Sequence, residues 1–226
     1  MNWKQSHFFH FILAVIRFFS KPMRTIWSRP FDGEPAVFVC NHDSAYGPMA
    51  MCAHFDHKDI VRPWINAQVL SPRQVPAYVR QDFWWPRNKW YTKILDYTLV
   101  YPVSLLLPAI VHGSACVPVY HNENVEKTFA GSVDALSSGY SLILFPERPT
   151  DYKVYDERIY SGFTAIGHMF KGDDVARLKF YPTYVDWKGK EIRVGEPITY
   201  DASGEHREQS KEILNGVQDF FSDNTK

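Results

Sequence analysis

A strand-helix-strand pattern in the middle of the chain constrains the fold most. Residues 113–120 and 141–145 are apolar runs typical of strands. Between them, apolar residues recur at helical spacing behind a polar start at Asn124, and Gly139 ends the predicted helix. Strands joined by a helical crossover run in parallel, so the pattern predicts a βαβ unit and an α/β fold.

The remaining elements extend this unit into one sheet. Strands are predicted at 35–40, 62–67, 178–186 and 191–194, and helices at 7–19, 48–55, 155–169 and around 213–221. Prolines predict a loop at 74–82 and a break within the apolar tract 97–111, which would form a membrane-facing surface, an acyl-chain groove or a core helix pair. We therefore predict a single mixed, largely parallel sheet flanked by helices.

An apolar segment at residues 7–19 is too short to cross a membrane. Its apolar stretch, residues 8–19, has twelve residues, which as a helix cover roughly 18 Å against a hydrocarbon core of about 30 Å. His10, Arg17 and Lys21 fall on one stripe of an otherwise apolar helix, a pattern typical of the membrane interface. We predict an amphipathic membrane-associating helix in 1–21 and an α/β domain in 22–226. A signal peptide and a buried core helix are the alternatives.

Composition narrows the partners of the chain. Its 25 basic and 25 acidic residues cancel, so no nucleic-acid partner is predicted. Aromatic residues make up 16% of the chain and gather near its amino terminus and around Trp84, which favours contact with lipid headgroups beside ordinary core packing. Three cysteines without metal-ligand spacing fit a reducing compartment, so we expect the protein at the cytoplasmic face of a membrane.

Two predicted strands end in residues that can carry chemistry. The run 35–40 stops at His42, and the run 141–145 leads into Glu147. Ligands of open α/β sheets bind at the carboxyl edge of the strands, where an imidazole can act as a general base. For His42 taken alone, a histidine held by backbone groups is the alternative.

Together the two strand ends resemble the glycerolipid acyltransferase superfamily, whose signatures are N-H-x-S-x-x-D and F-P-E-G-T-R. The residues that match these signatures are Asn41, His42, Ser44, Phe145, Pro146 and Glu147. Gly47 stands at the position of the family's aspartate, Arg148 at that of its second-motif glycine, and Thr150 at that of its arginine. The resemblance covers roughly residues 35–201.

The resemblance implies roles for these residues. His42 would take a proton from an acceptor hydroxyl, and Glu147 would orient the imidazole in place of the missing aspartate. His121 stands where the family's G-x-I-P-V-x-R motif has its phosphate-binding arginine, and Arg148 is the expected replacement, with a structural ion pair as its alternative. The other expected substrate contacts are Asn41, Ser44, Gly47, Phe145 and Pro146.

The implied function is transfer of a fatty acyl group from acyl-CoA or acyl carrier protein to a lysophospholipid or related lipid hydroxyl at a membrane. The acyl thioester is a co-substrate, and no metal or other cofactor is implied. The alternative is a lipid-binding or scaffold protein that keeps the fold without the chemistry, because Gly47 lacks the motif carboxylate. An esterase-like hydrolase is disfavoured, since the chain lacks a G-x-S-x-G turn.

Overall fold

The computed structural model describes residues 3–42, 46–81, 90–120, 124–146, 159, 161–170, 177–201 and 203–225. Its helices are α1 (His7–Phe19), α2 (Tyr46–His54), α3 (Val75–Gln81), α4 (Thr92–Thr98), α5 (Val100–Gly113), α6 (Val125–Ser137), α7 (Ala165–Met169) and α8 (His206–Asn224). Its strands are β1 (Arg24–Trp27), β2 (Ala36–Cys40), β3 (Val61–Asn66), β4 (Val117–Val119), β5 (Ser141–Leu144), β6 (Arg177–Asp186), β7 (Glu191–Val194) and β8 (Ile198–Asp201).

The strands form one mixed, mostly parallel sheet of eight strands in the order β1-β7-β6-β2-β5-β3-β4, with β8 beside β6. Strands β2 to β6 share one direction, whereas β7 and β8 run antiparallel to β6. The predicted α/β fold and the parallel β4-α6-β5 unit are therefore confirmed, with β3 lying between β4 and β5. The carboxyl ends of β2 to β6 meet at one edge of the sheet.

Helices cover both faces of the sheet. Successive side chains of β2 point to opposite faces and are all apolar, so each face requires an apolar cover. Val37 and Val39 belong to a core that is shared with α6 and α8. Phe38 and Cys40 belong to a second core that is shared with α2. Every residue of β2 is fully buried, so packing on both faces fixes where this strand ends.

The amino-terminal segment packs on the sheet and on two helices. Trp3 is 5% exposed, and its Nε1 donates to Asp134 at 2.9 Å. Phe9 and Leu13 of α1 pack with Ala53 of α2. One face of α1 is therefore part of the core. No helix within the described ranges is long and apolar enough to cross a membrane.

Two predictions based on proline are wrong. Residues 75–81 form α3, because Pro76 lies in the first turn, where a missing amide costs no hydrogen bond. The break expected within 97–111 is replaced by α5, which runs through Pro108. Pro108 is buried, so its packing outweighs the lost backbone bond.

Three further elements differ from the sequence expectation. The strands β1 and β8 are not predicted from sequence; each has four residues and mixes polar with apolar side chains. Of the helix expected at 155–169, the structure describes a short 3-10 turn, Ser161–Thr164, followed by α7. Residues 155–158 and 160 lie outside the described residues.

Arg62 fastens the amino-terminal segment to the sheet. It is 2% exposed, and its Nε donates to the carbonyl of Trp3 at 2.9 Å. Its Nη1 donates to the carbonyls of Asp59 at 2.9 Å and Val61 at 2.8 Å, and its guanidinium lies 3.9 Å from the ring centre of Tyr140. Burial lowers the pKa of Arg62, but an arginine keeps its charge, which carbonyl dipoles and an aromatic face therefore stabilise.

Replacing Arg62 with methionine should lower the free energy of unfolding by about 2–4 kcal/mol, because three carbonyls lose a charged donor. Arg29→Met is the matched control, since Arg29 is exposed and contacts only the equally exposed Glu196 among the salt bridges described. Its loss should leave stability nearly unchanged. Urea unfolding of both variants provides the measurement, and equal losses would contradict the role assigned to Arg62.

Candidate functional site

Asn41 fixes the point at which the chain leaves β2. Its side chain is buried; Oδ1 accepts from the amide of Val185 at 2.6 Å, and Nδ2 donates to the carbonyl of Val185 at 3.2 Å. The amide of Asn41 donates to the carbonyl of Thr183 at 3.3 Å. The side chain thus continues the pairing of β2 with β6 by one residue. These hydrogen bonds position the chain before His42, and the substrate contact predicted for Asn41 stays a prediction.

His42 is the next residue, at the carboxyl edge of the sheet. Its Nδ1 is shielded from solvent, and its ring meets the ring of Phe145 edge to face, with centroids 5.5 Å apart at 67°. Phe145 follows β5, which lies beside β2. The structure therefore brings together the two strand ends that carry the motif residues. Pro146, the next motif residue, is buried at the same edge.

His42 and Glu147 have equal sequence offsets from a pair of neighbouring strand residues. Val39 of β2 pairs with Leu144 of β5. His42 and Glu147 each lie three residues beyond these paired positions along the sequence. Glu147 itself lies outside the described residues, as do the predicted substrate contacts Ser44, His121 and Arg148.

Gly47, at the position of the family's aspartate, lies in the first turn of α2 close to His42. A Cβ atom here would lie 3.8 Å from the Cα of His42, 3.5 Å from Cε1 of Phe145 and 3.1 Å from the carbonyl oxygen of Asn41. The last distance is shorter than an ordinary contact, so a side chain would require a small shift of α2 or of Asn41. Glycine therefore lets α2 approach the strand end closely.

An aromatic pair at the end of β6 was missed by the sequence analysis. Trp187 stacks on Tyr46, with ring centroids 5.0 Å apart and planes 15° apart. Nζ of Lys190 lies 3.9 Å from the ring centre of Trp187. The sequence signal here is the Lys188-Gly189 turn, which predicts the hairpin. Only the parallel pairing of β6 with β2 reveals that Trp187 lies at the same edge as His42.

The three cysteines are candidates for nucleophilic chemistry, and all of them lie within the described residues. Cys40 is fully buried, as expected for a small apolar residue, and burial raises the pKa of Cys52 to about 12 and that of Cys116 to about 11. These two thiols are therefore weak nucleophiles. Within the part of the chain that the structure describes, no group of three or more His, Cys, Asp and Glu side chains is placed to hold a metal ion.

No family model matches the chain, and no match was found among the curated proteins or the solved structures. Any functional assignment therefore depends on the motif residues and on the geometry of the sheet edge. At this edge, the buried Asn41 precedes His42, the ring of Phe145 contacts the imidazole, and Gly47 allows α2 to lie close to the strand end.

Replacing Asn41 with alanine should lower the free energy of unfolding by about 2–4 kcal/mol, because the amide and the carbonyl of Val185 both lose their side-chain partner. Asn66→Ala is the matched control: its Oδ1 accepts from the amide of Gln68 at 3.0 Å in an exposed turn, so its loss should cost about 1 kcal/mol. Chemical unfolding compares the two. A negligible loss at Asn41 would indicate that this residue serves substrate contact alone.

Proposed function

We propose that this protein is an acyltransferase that moves a fatty acyl group from a thioester donor to a lysophospholipid or related lipid hydroxyl, with His42 as the general base. The observation that carries the proposal is the contact between His42 and Phe145. It joins the histidine motif and the F-P-E motif at the carboxyl edge of a parallel sheet, which is where ligands of such sheets bind.

The chemistry assigned to His42 is proton transfer. The acceptor hydroxyl gives its proton to the imidazole while its oxygen attacks the thioester carbonyl carbon. The carbon–sulfur bond then breaks, and the proton passes to the leaving thiolate, so that an ester and a free thiol are formed. We assign Glu147 to hold the imidazole in the required tautomer, because its sequence offset from the paired strands equals that of His42.

A lipid-binding protein without catalysis is the second candidate, and Gly47 is the observation that favours it. The motif carboxylate is absent, and the space beside Gly47 is closed by the carbonyl of Asn41 and the ring of Phe145. In serine hydrolases, spoiling the carboxylate that orients the catalytic histidine reduces turnover by roughly 10⁴-fold. The two candidates therefore differ in whether another carboxylate has taken over this role.

His42→Ala should reduce acyl transfer to lysophosphatidic acid by about 10²- to 10⁴-fold, with acyl-CoA and acyl carrier protein each tried as donor. His112→Ala is the control, since this exposed histidine contacts the carbonyl of Leu70, which belongs to neither motif. If Glu147 orients His42, Glu147→Gln should inactivate while Gly47→Asp leaves turnover level or lower. Absence of turnover in both the wild type and Gly47→Asp would leave the lipid-binding function.

Exposed apolar side chains of three helices support a lipid partner. We call them together the apolar face, and they are Phe8, Phe11, Val15, Phe18 and Phe19 of α1, with Ile94, Tyr97, Leu99, Tyr101, Leu105 and Leu106 of α4, α5 and the residue between them. Phe18 and Phe19 are each 82% exposed, although the opposite side of α1 is buried in the core. A helix with one face in the core and phenylalanines on the other suits contact with a bilayer surface.

The double variant Phe11→Ser, Phe18→Ser should weaken binding to phosphatidylcholine vesicles by about 30-fold or more, because the apolar area that two phenylalanines bury in the bilayer is lost. Met169→Ser is the matched control, since Met169 is also a partly exposed apolar residue but lies on α7. Co-sedimentation measures the affinity. Substitution is preferable to deleting residues 1–21, which would also remove Trp3, Phe9 and Leu13 from the core. Unchanged binding by the double variant would contradict a bilayer contact through α1.

A further inference from the structure

Two basic side chains lie close together where α1 and α2 end. Arg17, in the last turn of α1, donates from Nη1 to the carbonyl of Ala53 at 3.4 Å. His54, the last residue of α2, lies with Nε2 2.8 Å from the hydroxyl oxygen of Ser20. The two helix ends therefore place a guanidinium and an imidazole side by side.

The turn between β6 and β7 adds to this group. The ring of Trp187 lies with its centroid 6.5 Å from that of His54, and Nζ of Lys190 lies against the same indole. Burial lowers the pKa of His54, and the positive charges of Arg17, Lys190 and Lys58 lower it further. We call the three cations Arg17, Lys58 and Lys190, whose charges act on His54, the cationic corner.

No carboxylate forms a salt bridge with Arg17, Lys58 or Lys190 in the part of the chain described. Asp56 lies 3.5 Å from Nε1 of Trp27, and Asp186 accepts from the amide of Gly189 at 2.7 Å. The cationic corner therefore suits an anion from outside the chain.

The backbone of Lys190 has a conformation that is uncommon for a residue other than glycine. Its φ is +63°, in the left-handed region that favours glycine, although the residue is a lysine. Its carbonyl accepts from the amide of Arg24 at 3.0 Å, so β1 holds this backbone in place. Strained positions of this kind are retained where a side chain is needed.

We propose that the cationic corner binds the phosphate of an anionic phospholipid headgroup, an inference that rests on the lipid-surface function proposed above. The headgroup is favoured as the source because Phe18 and Phe19 follow Arg17 directly and are largely exposed. Cations beside exposed phenylalanines match the headgroup layer and the acyl region beneath it. The stack of Trp187 on Tyr46 connects the corner to the start of α2, four residues from His42.

Lys190→Gly tests this proposal, because glycine relieves the left-handed backbone while it removes the ammonium group. With vesicles of phosphatidylcholine and phosphatidylglycerol in equal parts, the apparent affinity of the full chain should fall about fivefold. The midpoint of thermal unfolding should not fall. Lys188→Ala is the matched control: it removes the same charge from an exposed position in the same turn, and its affinity should stay within about twofold of wild type.

A second variant tests whether the loss of charge, and not a change in structure, weakens vesicle binding. Arg17→Gln keeps a donor for the carbonyl of Ala53 and removes the charge, so it should weaken the same vesicle binding by a similar factor. On vesicles of phosphatidylcholine alone, both variants should bind as the wild type does. Equal losses for Lys188→Ala and Lys190→Gly, or losses that persist on phosphatidylcholine alone, would overturn the anion site.

Two further measurements distinguish a lipid headgroup from acyl-CoA as the source of the phosphate, and the anion site from the proposed catalysis. If Lys190→Gly instead weakens binding of soluble acyl-CoA in the absence of vesicles and leaves vesicle binding unchanged, the corner serves the acyl donor and the headgroup assignment is wrong. His42→Ala should bind the mixed vesicles as the wild type does. A failure of the proposed chemistry would therefore be seen in the acyl-transfer assay, and a failure of the anion site in the vesicle-binding assay.

Discussion

The hydrogen bonds between Asn41 and the backbone of Val185 determine where the chain turns away from the sheet, and the proposed site depends on that point. Strand β2 is buried on both faces and lies between β5 and β6. Asn41 extends this pairing by one residue, so His42 is the first residue beyond the hydrogen-bonded sheet. The same order brings Phe145, at the end of β5, against the imidazole.

Helix α2 connects this edge of the sheet to α1, which carries exposed phenylalanines. Gly47 allows α2 to approach the strand end, and α1 packs on α2 through Phe9 and Leu13 while its other side carries exposed phenylalanines. The cationic corner forms where these two helices end. The helices α1 and α2 thus carry part of the apolar face and part of the cationic corner, and α2 begins beside His42. This arrangement suits the proposed chemistry at a lipid surface.

The sequence predicts the elements whose signals are local. The strand β2 and the crossover helix α6 are predicted correctly. A strand buried on both faces needs a continuous apolar run, and a helix that packs on a sheet needs apolar residues at helical spacing. The break predicted at the prolines of α5 is wrong, since the burial of Pro108 outweighs the backbone hydrogen bond that a proline cannot donate. The role of Asn41 and the place of Trp187 depend on the pairing of β2 with β6, which joins segments about 140 residues apart and has no local signal.

The central claim is that the ends of β2 and β5 form one site containing His42 and Glu147. Adjacent strands lie about 4.8 Å apart, and a disulfide requires Cα atoms within about 7 Å. Oxidation of the double variant His42→Cys, Glu147→Cys should therefore link these positions, as mapped by mass spectrometry of peptides. His42→Cys with Asn66→Cys, at the end of β3 two strands away, should not link. A link in the second pair and none in the first would contradict the shared site.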